Sequence, residues 1–146
     1  MHKNKYYILF LCTGNSCRSQ MAEAFTNNLL PDNILAYSAG INPGEVDKMA
    51  IEVMSKIGID MSNQYSKTIQ QLPEIEFDIV ITLCDNAREN CPYFPAKTKL
   101  VHHSFPDPPF LAANIDDIEQ RLNIYCDVRD KIKSFVISLG ETLSLE

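Results

Sequence analysis

An unbroken apolar run, Tyr6-Tyr7-Ile8-Leu9-Phe10-Leu11, opens the patterned part of the chain. With no polar residue interleaved, Lys5–Leu11 predicts a strand buried on both faces, the habit of a parallel sheet. The period then changes. Ser19–Leu30 puts Met21, Ala22, Phe25 and Leu29 on one helical stripe, and Pro31-Asp32-Asn33 ends it. Ile34–Ala39 reads as a second strand, closed by Gly40. After the Pro43-Gly44 turn, Val46, Ala50, Val53, Met54 and Ile57 mark a helix over 46–57 that stops at Gly58. Phe77–Leu83 predicts a third strand and Lys99–His103 a shorter fourth. Pro106–Pro109 reads as a rigid turn, and 114–139 as a long last helix starting near Asp116-Asp117.

Strands alternating with helices imply a parallel sheet with right-handed crossovers, an α/β fold. The 146 residues suit one domain over 1–146, and no linker, repeat or low-complexity stretch divides them. Sites in such sheets lie outside the carboxyl ends of the strands. Cys12, Cys84 and Asp107, each following a predicted strand, should therefore share one edge.

The turn between the first strand and first helix carries the chemistry. It reads Cys12-Thr13-Gly14-Asn15-Ser16-Cys17-Arg18-Ser19. Gly14 permits a tight turn, and Asn15 tolerates the left-handed region. Successive N–H groups in such a loop form an anion-binding concavity, reinforced by the helix N-terminus. The same field favours the Cys12 thiolate, the reactive form of a thiol. Arg18 presents a planar fork suited to tetrahedral oxyanions. Ser19 is placed to donate to the thiolate or to cap the helix.

The net charge of -6 disfavours nonspecific binding to nucleic acid or anionic lipid. Attraction for an anionic substrate must then be local. No apolar stretch approaches a membrane span. Met1-His2-Lys3-Asn4-Lys5 before an apolar run faintly imitates a signal peptide, but no cleavage pattern follows, and the run is read as the first strand. Five cysteines, an odd count without CxxC spacing, favour free thiols in a cytoplasmic setting over a disulfide framework or a zinc site. No metal or bound cofactor is expected.

The loop, continued by Gln20-Met21-Ala22-Glu23, resembles that of low-molecular-weight protein tyrosine phosphatases and thioredoxin-coupled arsenate reductases. The likeness extends through Ser38-Ala39-Gly40 and Asp107-Pro108. It implies the three-layer fold of that family, a four-stranded parallel sheet with helices on both faces. Two activities stay open. The phosphatase branch typically has Pro after Arg-Ser and walls its pocket with aromatics. Here Gln20 follows Ser19, as in the reductases, the chain has no Trp, and Asp107-Pro108 leads to Pro109-Phe110.

Cys84 and Cys91-Pro92 discriminate further. Hydrolysis needs a nucleophile, an arginine and an acid, so two more thiols seven positions apart are surplus to it. Thr82-Leu83-Cys84 followed by Cys91-Pro92 resembles the reductases' redox segment. A helix from 84 to 91 would separate the Cα atoms by roughly 10.5 Å, whereas a disulfide needs them within about 7 Å. Bonding therefore requires the segment to unwind, and Asp85, Asn86, Asn90 and Pro92 make it a poor helix interior.

The resemblance implies arsenate or a phosphate-like oxyanion as substrate, held by residues 13–19, with Cys12 as nucleophile, Arg18 as oxyanion binder and Asp107 as general acid. It implies Cys84 and Cys91 as relay thiols and thioredoxin as electron donor. Phosphoester hydrolysis through a Cys12 phosphoenzyme is the alternative, and a non-catalytic thiol switch is a third class. Some reductases of this type bind potassium through positions matching Asn15, Glu23 and Ser38 plus a downstream acid. Lys67 stands where that acid would be; its ammonium either replaces the ion, the reading taken here, or is a surface charge beside no ion site. Cys17 is assigned to loop packing, with a protective disulfide to Cys12 as the alternative, and Cys126 to core filling. His102 and His103, consecutive on a strand, must face opposite sides, and neither is assigned a role.

Overall fold

The computed structural model describes residues 5–144. Met1–Asn4, the lead-in weighed above against a signal peptide, lie outside them. Four parallel strands, β1 (Tyr6–Cys12), β2 (Ile34–Gly40), β3 (Ile79–Thr82) and β4 (Lys99–His102), form one sheet in the order β2-β1-β3-β4. Among the described residues, five α-helices accompany them: α1 (Arg18–Leu29), α2 (Lys48–Ser55), α3 (Asp85–Glu89), α4 (Pro108–Ala112) and α5 (Ile118–Ser144).

β1 is central because its apolar run tolerates burial on both faces. Ile8, Leu9, Phe10 and Leu11 are fully enclosed. Its register runs from Tyr6 opposite Ile34 to Cys12 opposite Gly40, and on the other side from Ile8 opposite Ile79 to Leu11 opposite Thr82. The first crossover travels one way across the sheet and the later ones the other. Right-handed connections then place helices on both faces and open a crevice beyond the carboxyl end of β1.

α1 packs against β1, β2 and α5, and α5 also meets α2 and α4. Phe25, Met21, Met54, Ile132 and Val136 fill the space between. Truncating Phe25 to Ala would cost about 3–5 kcal/mol, the usual loss for a buried ring. α2 starts at Asp47, whose carboxylate accepts from the Met49 N–H at 2.8 Å, an ordinary N-cap. The Tyr125 hydroxyl donates to the other Asp47 oxygen at 2.6 Å. Burial, then this carboxylate, push the Tyr125 hydroxyl far above the usual tyrosine range.

Two elements differ from the pattern reading. The expected rigid turn at 106–109 is partly helical, since α4 begins at Pro108. Proline is favoured at the first helical position, where its missing N–H has no partner to lose. The last helix starts at Ile118 and runs to Ser144, beyond the expected end at 139. The segment after β3 does form a helix, but a short one. α3 covers only Asp85–Glu89, with Cys84 before it and Cys91 after it.

Candidate active site

The loop from Cys12 to Arg18 is held by its carbonyl groups. Cys12 O accepts from Ile41 N (3.1 Å), Thr13 O from Asn42 N (2.8 Å), Gly14 O from Gly44 N (3.0 Å) and Ser16 O from Asp47 N (2.8 Å). Cys17 O accepts from Met21 N at 2.9 Å. Asn15 O accepts from Gln20 Nε2 (2.9 Å) and Ser66 Oγ (2.7 Å). Among the described residues, no N–H from Thr13 to Arg18 has a protein acceptor. A run of donors with every carbonyl tied outward is a cradle for an oxyanion.

Asn15 makes the turn. It is fully buried at φ 49°, in the left-handed region. Its amide is used completely: Nδ2 donates to Ser19 Oγ (2.8 Å) and Ser38 Oγ (2.9 Å), and Oδ1 accepts from Lys67 N (3.0 Å). Because Ser19 Oγ accepts from Asn15, its one proton is free for Cys12 Sγ, 2.9 Å away. Ser19 thus faces the nucleophile and does not cap α1, which has no side-chain cap. Gly40 passes close behind. A Cβ there would lie 2.8 Å from Thr13 O and 2.9 Å from Asn15 Cβ.

The other expected groups converge on the same edge. Arg18 Nη1 donates to Phe105 O at 3.0 Å, and Nη2 lies 3.7 Å from Asp107 Oδ2. Asp107 precedes α4 without capping it, so its carboxylate stays directed to Arg18. Cys84 Sγ lies 3.3 Å from Thr13 Oγ1. Cys91 is half-buried on the far side of α3, beside a cavity of about 240 Å³ that Val80, Leu100 and Val101 also line. All five cysteines are free thiols. Burial pushes both the Cys17 and the Cys91 thiol up, and nearby Asp47 adds to the effect at Cys17. Cys126 is half-buried against the core.

The two histidines do face opposite ways. His102 meets Thr82 Oγ1 (2.7 Å) and Asp85 Oδ1 (3.2 Å), whereas His103 packs between Phe105 and Phe135.

Lys67 is the unusual charge. Its ammonium donates to Tyr65 O at 3.1 Å, lies 4.7 Å from the centre of the Tyr65 ring and 3.8 Å from Glu23 Oε1. Ser38 Oγ accepts from Asn15 and donates to the same Glu23 oxygen at 2.8 Å. Burial raises Glu23 above the ordinary carboxylate range, against the pull of Lys67 and Ser38; burial lowers Lys67, against the pull of Glu23.

Gln20 had no structural task in the sequence reading. It is fully buried, and its Nε2 bridges Asn15 O and Tyr65 O while Oε1 accepts from Gln64 Nε2 at 2.7 Å. The available signal was a polar side chain among the buried positions of α1. Its partners there, Gln64 and Tyr65, sit in a segment with no motif.

Residues 7–146 match the low molecular weight phosphotyrosine protein phosphatase family. The chain belongs to that family. An arsenate reductase of Halalkalibacterium halodurans is 43% identical over 139 residues, which cover 95% of this chain and 98% of the relative. A solved arsenate reductase in the phosphate binding state superposes with a TM-score of 0.75 at 30% identity, over 94% of this chain and 98% of that one. The low molecular weight protein tyrosine phosphatase of T. tengcongensis superposes almost as well, with a TM-score of 0.74 at 25% identity, over 94% of this chain and 99% of its own. The family fold thus accommodates proteins of both names, and individual residues must separate the two activities.

Proposed function

We propose that this chain reduces arsenate to arsenite with thioredoxin as the electron donor. The observation that carries the reading is a second thiol, Cys84, set against the oxyanion loop at Thr13, with a third, Cys91, just beyond the same short helix. Hydrolysis has no use for either. The similarity to arsenate reductases across nearly the whole chain supports it.

The family resemblance implies the following steps, and the site geometry is compatible with them. Arsenate lies on the N–H cradle with Arg18. The Cys12 thiolate, facing the Ser19 hydroxyl, attacks arsenic; an S–As bond forms and an As–O bond breaks. Asp107 protonates the departing oxygen. The Cys84 thiolate then attacks the Cys12 sulfur. The S–As electron pair leaves with arsenic, which falls from the +5 to the +3 state, and arsenite departs from a Cys12–Cys84 disulfide. Cys91 attacks Cys84 and expels Cys12 as thiolate. A thioredoxin dithiol reduces the Cys84–Cys91 disulfide and is itself oxidised. Free thiols at every cysteine suit a reducing, cytoplasmic setting.

Lys67 supplies the fixed cation of this site. Its ammonium balances Glu23, Glu23 orients Ser38, and Ser38 holds the Asn15 amide that shapes the loop. The lysine takes the place that a bound potassium ion would hold.

The test is arsenate-dependent NADPH consumption with thioredoxin and thioredoxin reductase, run beside aryl-phosphate hydrolysis. Turnover that requires both arsenate and thioredoxin is expected, with weak hydrolysis from the shared loop. Robust hydrolysis without arsenate-dependent turnover would favour the phosphatase reading. No turnover of either substrate would leave a thiol switch.

A further inference from the structure

The redox segment contains a hydrogen-bond ladder whose directions all follow from one backbone carbonyl. The Asn86 carbonyl oxygen can only accept, so the Asn90 atom 2.9 Å from it is the amide nitrogen. That nitrogen also donates to Asn86 Oδ1 at 2.8 Å, which settles the orientation of the Asn86 amide. Asn86 Nδ2 therefore faces Thr13 Oγ1, 2.9 Å away on the oxyanion loop. Thr13 accepts this bond, and its one hydroxyl proton remains. The Cys84 sulfur, at 3.3 Å, lies within its reach.

We propose that Asn86 is a positioning residue for the second thiol. By donating to Thr13 Oγ1 it turns the Thr13 hydroxyl proton onto Cys84 Sγ, where it stabilises the thiolate that attacks Cys12. This rests on the relay reading above. Both amides are exposed, so the ladder adds little to folding stability. Its effect is on orientation at one reacting atom.

Asn86 and Asn90 are neighbours only while residues 85–89 are helical, because four positions make one turn. As Cys91 closes on Cys84 and α3 unwinds, Asn86 leaves both Asn90 and Thr13. The second thiol is primed while the helix is intact and released when it opens.

Asn86→Ala in the full chain tests this. Alanine is the better helix former, so the substitution does not weaken α3 through propensity. The kcat for thioredoxin-coupled arsenate reduction should fall about fivefold, the order of one lost orienting hydrogen bond. The KM for arsenate and the rate of aryl-phosphate hydrolysis, which use Cys12 alone among the thiols, should hold. In a Thr13→Val background the same change should add nothing, since the two residues act as one unit. Unchanged kcat in Asn86→Ala, losses that multiply with Thr13→Val, or an equal loss of aryl-phosphate hydrolysis would overturn the proposal. A wild-type chain without arsenate turnover in the same assay would overturn the relay reading itself, and this inference with it.

Discussion

Asn15 joins the buried charges to the nucleophile. One amide links Ser19, which faces Cys12, to Ser38, which faces Glu23, while its Oδ1 receives the Lys67 N–H. Removing the ammonium leaves a buried carboxylate without its counter-charge, a change that costs more than a surface pair would. Lys67→Ala should therefore slow arsenate turnover about tenfold. Potassium, and sodium much less, should restore part of it, while the wild-type rate stays indifferent to either at equal ionic strength. A wild-type rate that potassium raises well beyond sodium would count against Lys67 as the resident cation. Glu23 makes a separate prediction. Burial holds it above 4.5, and a group raised in the fold contributes stability in acid that is lost as pH rises through its folded value. The Tm of the wild type should fall relative to Glu23→Gln as pH rises above the ordinary glutamate range; the opposite slope would mean that Lys67 outweighs burial. At this scale the loop residues were legible in the sequence, because motif, turn and helix start are contiguous. Lys67 was legible as a departure from a pattern. The contacts of Gln20 were not, because Gln64 and Tyr65 reach it only through the tertiary fold.

Short elements set the spacing of the site. Gly40 ends β2 where the oxyanion loop passes behind it, and the atoms a Cβ would strike are backbone or the buried Asn15. Gly40→Ala should destabilise the chain by about 1–3 kcal/mol, the usual cost of overpacking, and slow every Cys12-dependent reaction. Gly140→Ala is the control. Its Cβ would meet Leu30 Cδ2 at 2.5 Å, the far end of a flexible side chain, so the cost should be smaller. Paired thermal melts read the difference, and equal losses would contradict it. The strands and α1 were readable from apolar runs. α4 was not, because a proline cluster suits both a turn and a first helical turn. α3 was read as a segment prone to open, and its five-residue length agrees with that.

For the whole molecule, the fold holds less information about the reaction than the thiols do. A phosphatase and an arsenate reductase superpose on this chain with TM-scores of 0.74 and 0.75. What the sheet contributes is convergence: Cys12, Cys84 and Asp107 meet with Arg18 beyond the carboxyl ends of the parallel strands, and the alternation of strands and helices already placed the first three on one edge. Cys91 lies one short helix away from that edge, and the proposed relay requires that helix to open. The decisive measurement is the arsenite yield of Cys91→Ser with thioredoxin and its reductase present. The relay predicts about one arsenite per chain and a trapped Cys12–Cys84 disulfide on mass mapping. Sustained thioredoxin-driven turnover by that variant would contradict it.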